Sequence, residues 1–340
     1  MEERKLSLSE VLGVRYPIIQ APMAGVTTPR FVAASAEAGM LGSIGAGYLS
    51  TERTRKIIRE VNALTEKPFA VNLFVPEQVE VSGEVLRNAN EALDLIRHEL
   101  RMTNNDIILS ETEFDGQIQV VVEEDVEICS FTFGLPNRAT IQLLKENDVF
   151  LIGTATTVEE AMLAEQIGMD AVVAQGSEAG GHRGSFHGEL TFTPLIELLS
   201  DIVKVVNIPV IAAGGIANKR LMENALASGA SAVQIGTALL ASDESGAHPV
   251  HKKMMLTAME GTTILTTAFS GKTARGLRNQ FTEDMRDAPI APYPYQNDLT
   301  KALRKMAGNQ KNHNYMSLWA GENVHLVEEG SVEEVLKQFI

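Results

Sequence analysis

The sequence predicts an α/β fold of the (β/α)8 barrel class, with one insertion and a C-terminal helical segment over the barrel mouth. Three observations predict it. Eight short apolar runs alternate with helix-like stretches along the chain. The runs are continuous rather than alternating, as expected of parallel strands buried on both faces. The first run leads into QAPMAGVT, which lacks the glycine fingerprint that a doubly wound dinucleotide fold would carry there. A length of 340 residues suits one barrel with an appended segment.

The elements follow in order. The first run is Pro17–Gln20, closed by Ala21-Pro22-Met23, and a helix-like stretch over Pro29–Ala38 stops at Gly39. Leu41–Gly45 is the second run. Thr51–Leu64 shows helical spacing, with Ser50 or Thr51 as N-cap. Phe69–Leu73 is the third run and carries Asn72 near its end. A long helix is expected over Ser82–Leu100, followed by a charged stretch to Glu124, so 77–126 reads as an insertion between 1–76 and 127–245. Glu127–Phe131 and Val149–Ile152 are the fourth and fifth runs, separated by a helix over Pro136–Glu146 with proline in its first turn. The helix Thr157–Ile167 stops at Gly168. The sixth run is Ala171–Ala174, and a helix is expected over Thr193–Val203. Pro209–Ala213 and Ala232–Ile235 are the seventh and eighth runs, with a helix over Asn218–Ala227 between them. Residues 246–340 are expected to pack on the mouth, with helices over Val250–Glu260, Leu299–Ala307 and Val332–Ile340. The whole reads as one structural unit.

Composition narrows the function. Hydrophobic residues make up 44% and aromatics only 5%, so the core is aliphatic. The net charge of −15 and the lack of a basic stripe argue against nucleic acid as a partner. Acidic stretches such as Glu77–Glu84 and Glu111–Glu127 read as solvated faces. Cys129 is the single cysteine and sits in an apolar run, which suits inert burial and a reducing compartment. No apolar leader and no run of about 18 apolar residues is present, so a cytoplasmic protein without a membrane partner is expected. The apolar C-terminus suggests self-association as a homodimer.

In barrels the chemistry gathers at the C-terminal ends of the strands. Here those ends are rich in glycine and amides, poor in paired carboxylates, and carry no Cys/His cluster, so no metal site is expected. The most informative stretch is Ala174–Gly184, AQGSEAGGHRG. Gly176, Gly180 and Gly181 allow close backbone approach, and His182 has an ordinary pKa near neutrality. His182 is the candidate catalytic group. Gly214-Gly215 and Gln234–Thr237 (Gln234, Ile235, Gly236, Thr237) sit in the last two loops, where barrels commonly hold a phosphate; the competing reading is that these glycines only close tight turns. Asn72 and Gln175 offer amides to a heterocycle edge; the competing and weaker reading of Asn72 is a turn cap. Ala21, Pro22 and Met23 would lie beside a flat ring, although Met23 also suits plain core. Ser270-Gly271-Lys272-Thr273 resembles the end of a P-loop, but Thr266 stands where the motif requires its first glycine, and the match fails.

Taken together, PIIQAPMAGVTTP, AGMLGSIGAGY, AQGSEAGGHRG, VIAAGGIA, QIGTALL and AFSGKTARG resemble the nitronate monooxygenase (2-nitropropane dioxygenase) family over nearly the whole chain. The resemblance implies a barrel flavoprotein that binds FMN without covalent attachment. It implies that His182 is catalytic, that Gly214-Gly215 and Gln234–Thr237 hold the phosphate, and that Asn72, Gln175 and Gly180 hold the flavin. The expected reaction is oxidation of an alkyl nitronate, or of a neutral nitroalkane, by O2 to a carbonyl compound and nitrite, with one-electron transfer to FMN. His182 would either hold the nitro group as imidazolium or remove an α-proton. A similar family, the FMN- and NAD(P)H-dependent enoyl-acyl-carrier-protein reductases, shares the QAPM start and an EAGGH motif. Arg183 and the longer insertion fit nitronate monooxygenase better. A flavin-free isomerase or lyase acting on a phosphorylated metabolite, and a non-catalytic flavin binder, are the remaining alternatives.

Overall fold

The computed structural model describes residues 6–77, 79–102, 109–110 and 112–340. Its strands are β1 (Ile18–Gln20), β2 (Gly42–Gly45), β3 (Phe69–Phe74), β4 (Ile128–Thr132), β5 (Phe150–Ala155), β6 (Ala171–Gln175), β7 (Gly181–His182), β8 (Val210–Ala213), β9 (Ala232–Ile235), β10 (Thr263–Thr266) and β11 (Ala274–Leu277). Eight of them form one parallel sheet in the order β1-β9-β8-β6-β5-β4-β3-β2. The ring closes where Ile19 bridges Leu41. There Gln20 N–H donates to the Leu41 carbonyl at 2.9 Å, and Leu41 N–H donates to that of Ile18 at 3.0 Å. The remaining strands β7, β10 and β11 make a small antiparallel sheet outside the ring.

Aliphatic side chains fill the ring, as a closed barrel requires. Ile19, Ala70, Ile128, Ile152, Val173, Ile211 and Ala232 form one buried cluster, joined by Leu8 and Leu12 from around the short N-terminal helix Leu8–Val11. The opposite strand faces pack against the surrounding helices through Phe31, Ile58, Val71, Phe131, Leu151 and Leu199. Side-chain caps start several of these helices: Thr28, Ser50, Asn137, Thr157 and Asn218 each accept the backbone N–H three residues on. Each such cap stabilises its helix by about 1 kcal/mol. Gly168 ends the helix Val158–Ile167 at φ 107°, a conformation that favours glycine.

The stretch 77–126 divides. The helix expected over 82–100 is two helices, Gly83–Glu91 and Asp94–Glu99. At the break the Asn90 carbonyl accepts the Leu93 N–H at 3.1 Å and the Arg97 guanidinium at 2.8 Å. That turn lets Ala89, Leu93, Ile96 and Leu100 all face a second hydrophobic cluster, shared with Phe269, Phe281, Leu299 and Leu303. The helix Phe114–Glu123 instead belongs to the barrel's outer layer through Phe114, Ile118, Val120 and Val121. Its acidic end is not a plain solvated face: Glu124 is only 10% exposed and accepts from Arg55 at 2.7 Å and Arg59 at 2.8 Å. Glu111 of the same stretch lies outside the described residues.

From the segment after β9, Tyr293, Arg304, Trp319, Gly321 and Asn323 line the cavity at the strand ends. The final helix Val332–Leu336 then returns to the barrel flank, where Val332, Val335, Leu336 and Phe339 are buried. These four residues pack into the chain's own core, while Ile340 is exposed. Among the described residues no helix is long and apolar enough to cross a membrane.

Candidate active site

The loop after β6 is pinned from every side. Gln175 clasps it with its whole amide: Nε2 donates to the His182 carbonyl at 3.1 Å, and Oε1 accepts the Gly184 N–H at 2.8 Å. Arg183 is 5% exposed, and its guanidinium donates to the carbonyls of Gln175, Thr156 and Thr191. Glu178 accepts the Leu195 N–H and so caps the helix Leu195–Ile202. Glu160, fully buried, accepts from Phe186 N–H at 2.6 Å and His187 N–H at 3.0 Å. Four conspicuous polar residues around the histidine thus hold backbone in place.

His182 lies in β7, in register with Ala274 of β11. Its Nε2 is 2.8 Å from the Ser270 hydroxyl. Three rings surround the imidazole: Trp319 at 5.3 Å, Phe133 at 5.7 Å and Tyr293 at 6.3 Å between centroids. Phe74 and Tyr48 extend this wall. Burial pushes the His182 pKa down to about 3, and the nearby Arg304 and Lys272 cations lower it further, so the ring is neutral at neutral pH. The sequence expectation of a group titrating near neutrality is corrected on this point. Lys272 lies 4.9 Å from the Phe133 ring centroid and donates to Glu77 at 3.2 Å. Neutral partners hold the Arg304 guanidinium: the Thr300 hydroxyl at 3.1 Å and the Asn297 side-chain oxygen at 2.8 Å.

One cavity of about 1020 Å³ runs from this end to the last two barrel loops. The residues singled out in the sequence for catalysis or cofactor contact line it, namely Ala21, Pro22, Met23, Asn72, Gln175, Gly180, Gly181, His182, Gly214, Gly215, Gln234, Ile235, Gly236 and Thr237, whereas Gly176 does not. Asn72 Nδ2 donates to the Ser130 and Thr132 hydroxyls at 3.0 and 3.1 Å. Gly214 and Gly215 adopt φ of 122° and 68°, which favours glycine. A Cβ on Gly236 would come 3.3 Å from the Ala21 Cβ and 3.6 Å from the Met23 sulfur, so the first and last strand loops meet there. The tail closes this end: Asn323 donates to the Gly215 carbonyl at 2.6 Å, and Gly321 N–H donates to the Thr237 hydroxyl at 2.9 Å. Among the described residues no group of three or more His, Cys, Asp or Glu could hold a metal ion. Cys129 is fully buried, and burial pushes its thiol pKa up.

Sequence reasoning missed the aromatic wall, Arg304, Ser270, Lys272 and the 319–323 closure. Among the motif matches, AGMLGSIGAGY ends on Tyr48 and AFSGKTARG holds Ser270 and Lys272; the rest carried no such mark.

The arrangement is a strand-end cavity with glycine-lined loops at one end and a neutral, cation-flanked imidazole at the other. It suits a phosphate-bearing planar cofactor beside a small anionic substrate. Comparison with known proteins agrees. A chain called probable nitronate monooxygenase in Staphylococcus saprophyticus is 45% identical over 339 residues, spanning 96% of this chain and 96% of that one. The crystal structure of nitroalkane oxidase from Streptomyces ansochromogenes superposes with a TM-score of 0.92 at 36% identity, over 97% of this chain and 96% of that one. The structure of FabK from Thermotoga maritima is more distant, with a TM-score of 0.77 at 31% identity over 99% and 95%. The sequence model of the family described as nitronate monooxygenase matches residues 5–340. With site, fold and relatives in agreement, the chain belongs to the nitronate monooxygenase family of flavin-dependent oxidoreductases.

Proposed function

We propose that this protein binds FMN non-covalently and oxidises small alkyl nitronates with O2 to a carbonyl compound and nitrite. The observation that carries this reading is the single cavity joining the Gly214-Gly215 and Gly236-Thr237 loops to His182. Its volume of about 1020 Å³ leaves room for a flavin mononucleotide and a small substrate together. The glycine loops and the Thr237 hydroxyl are suited to the phosphate, Asn72 to the ring edge, and Ala21–Met23 to the ring face. A bound FMN would supply the one-electron redox chemistry, with O2 as the final oxidant.

The chain's own residues do the rest. Lys272 and Arg304 attract an anion to the histidine end, which favours the nitronate over its neutral acid. Phe133, Tyr293 and Trp319 enclose the imidazole and exclude water from it. Gln175 and Arg183 keep its main chain rigid, so the role of Gln175 is to position the loop as well as to line the cavity.

The test is a visible spectrum of the purified protein, mass identification of the released cofactor, and a nitrite assay on ethyl nitronate under air. Yellow protein releasing FMN and forming nitrite is the expected outcome. Colourless protein would sink the cofactor assignment. Rapid flavin bleaching by NADH without O2, together with no nitrite, would favour the enoyl reductase alternative.

A further inference from the structure

We propose that Ser270 is a positioning residue that holds His182 in its neutral Nε2–H tautomer, so that Nδ1 is the atom offered to the substrate as proton acceptor. The segment concerned is Ser270-Gly271-Lys272-Thr273, whose likeness to a P-loop fails. Its place in the fold gives it another use. Thr273 and Ala274 run alongside the histidine strand: Arg183 N–H donates to the Thr273 carbonyl at 2.8 Å, and Ala274 pairs with His182. Ser270 is 1% exposed, and its turn is fixed by Gly271 N–H to the Thr267 carbonyl at 2.8 Å. Gly271 has φ +80°, and a Cβ there would run into the Ala291 carbonyl oxygen, so the turn accepts only glycine.

The hydroxyl has one proton and three partners. Ser270 Oγ is 3.1 Å from the Lys272 carbonyl oxygen, 3.3 Å from the Lys272 N–H and 2.8 Å from His182 Nε2. The carbonyl can only accept, so it requires the serine proton. The oxygen is then an acceptor toward both nitrogens, and Nε2 must carry hydrogen. The reverse arrangement would leave two oxygens facing each other 3.1 Å apart with no proton between them. With Nε2 protonated and the ring neutral, the lone pair is on Nδ1.

This choice matters for a neutral nitroalkane, and in that respect the inference rests on the oxidation reading above. Nδ1 takes the α-proton, the C–H electron pair becomes the C=N bond of the nitronate, and the charge passes to the nitro oxygens. Imidazolium forms on His182, and Lys272 and Arg304 stabilise the new anion. A preformed nitronate needs no such step.

Two measurements decide it. Nitrogen-15 NMR of histidine-labelled holoprotein, with the His182 signals assigned by their loss in His182→Asn, reads the tautomer directly. The expected result is a protonated Nε2 and a bare Nδ1; a protonated Nδ1 overturns the proposal. Ser270→Ala and Ser270→Thr, compared at matched flavin content, give the second. Ser270→Ala is expected to lower kcat/KM for nitroethane at least about tenfold more than for ethyl nitronate, with Ser270→Thr restoring the ratio. Equal losses on both substrates would overturn the positioning role. A protonated Nε2 with no nitrite from either substrate would instead overturn the oxidation reading and leave the tautomer assignment standing.

Discussion

Replacing Glu160 by glutamine tests whether the histidine loop is held by a buried carboxylate. Glu160 is fully buried and accepts four hydrogen bonds: Thr156 N–H at 2.6 Å, the Thr156 hydroxyl at 2.8 Å, Phe186 N–H at 2.6 Å and His187 N–H at 3.0 Å. In Glu160→Gln the amide oxygen can stay on Phe186 and His187, and the Thr156 hydroxyl can reverse to accept from the new NH2. The Thr156 N–H then faces a donor. One charge-assisted bond is lost, at about 1.5–3 kcal/mol, and three fall to neutral strength, at about 0.5–1 kcal/mol each. The expected destabilisation is about 3–6 kcal/mol, a large share of the roughly 5–15 kcal/mol that holds a typical domain folded. Trp319 is the only tryptophan in the sequence and lies 5.3 Å from the His182 ring, so its fluorescence reports unfolding at the site itself. At a urea slope near 3 kcal/mol per molar, the midpoint should fall by about 1–2 M. A midpoint matching wild type would refute the claim that this carboxylate anchors the loop.

Three further outcomes are expected. Gly180→Ala would place a Cβ 2.5 Å from Gly321 N and 2.6 Å from the Ala320 carbonyl carbon, both backbone; the 319–323 closure must move, and the flavin-to-protein ratio after gel filtration should drop severalfold. His251 is buried with its pKa pushed down to about 4, so the unfolded chain takes up its proton first as pH falls below the ordinary value near 6.5. Native stability is therefore complete above that value and declines toward pH 4 by about 3 kcal/mol from this residue. His251→Gln keeps a donor for the Trp319 carbonyl and removes that loss, which urea midpoints at pH 7 and pH 4.5 will read. Lys272→Met removes a cation from beside the imidazole, and KM for ethyl nitronate should rise about fivefold with a smaller change in kcat, in line with roughly 1 kcal/mol for one partly screened charge.

The barrel was legible because burial on both faces leaves a residue-level trace. Runs such as Phe69–Leu73 and Pro209–Ala213 are apolar without alternation, and the glycines and amides that end them mark the mouth. Asn72, Gln175, His182 and the glycine loops follow from strand ends alone, since position along a strand fixes which end of the barrel a residue occupies. The aromatic wall carries no such trace. Tyr48, Phe74, Phe133, Tyr293 and Trp319 come from separate parts of the chain, and no periodicity joins them. Ser270 meets His182 across 88 positions through an antiparallel pairing of two residues, too short to leave a pattern. Arg304 looks like one more polar position on the amphipathic helix Tyr295–Asn309; only the tertiary fold turns it toward the cavity. The break between Glu91 and Asp94 has neither proline nor glycine to announce it, because it is set by packing on the second hydrophobic cluster and by Arg97 reaching the Asn90 carbonyl.

The central claim is that His182 acts on the nitro substrate beside the bound flavin. Nitrite formation from nitroethane and from ethyl nitronate under air, measured for wild type and His182→Asn at equal flavin content, tests it most directly. The account predicts nitrite from the wild type on both substrates, and in the variant a loss of about a hundredfold or more on nitroethane, whose α-proton the imidazole takes, with a clearly smaller loss on the preformed nitronate. Undiminished nitrite from the variant, or none from a flavin-loaded wild type, would contradict it.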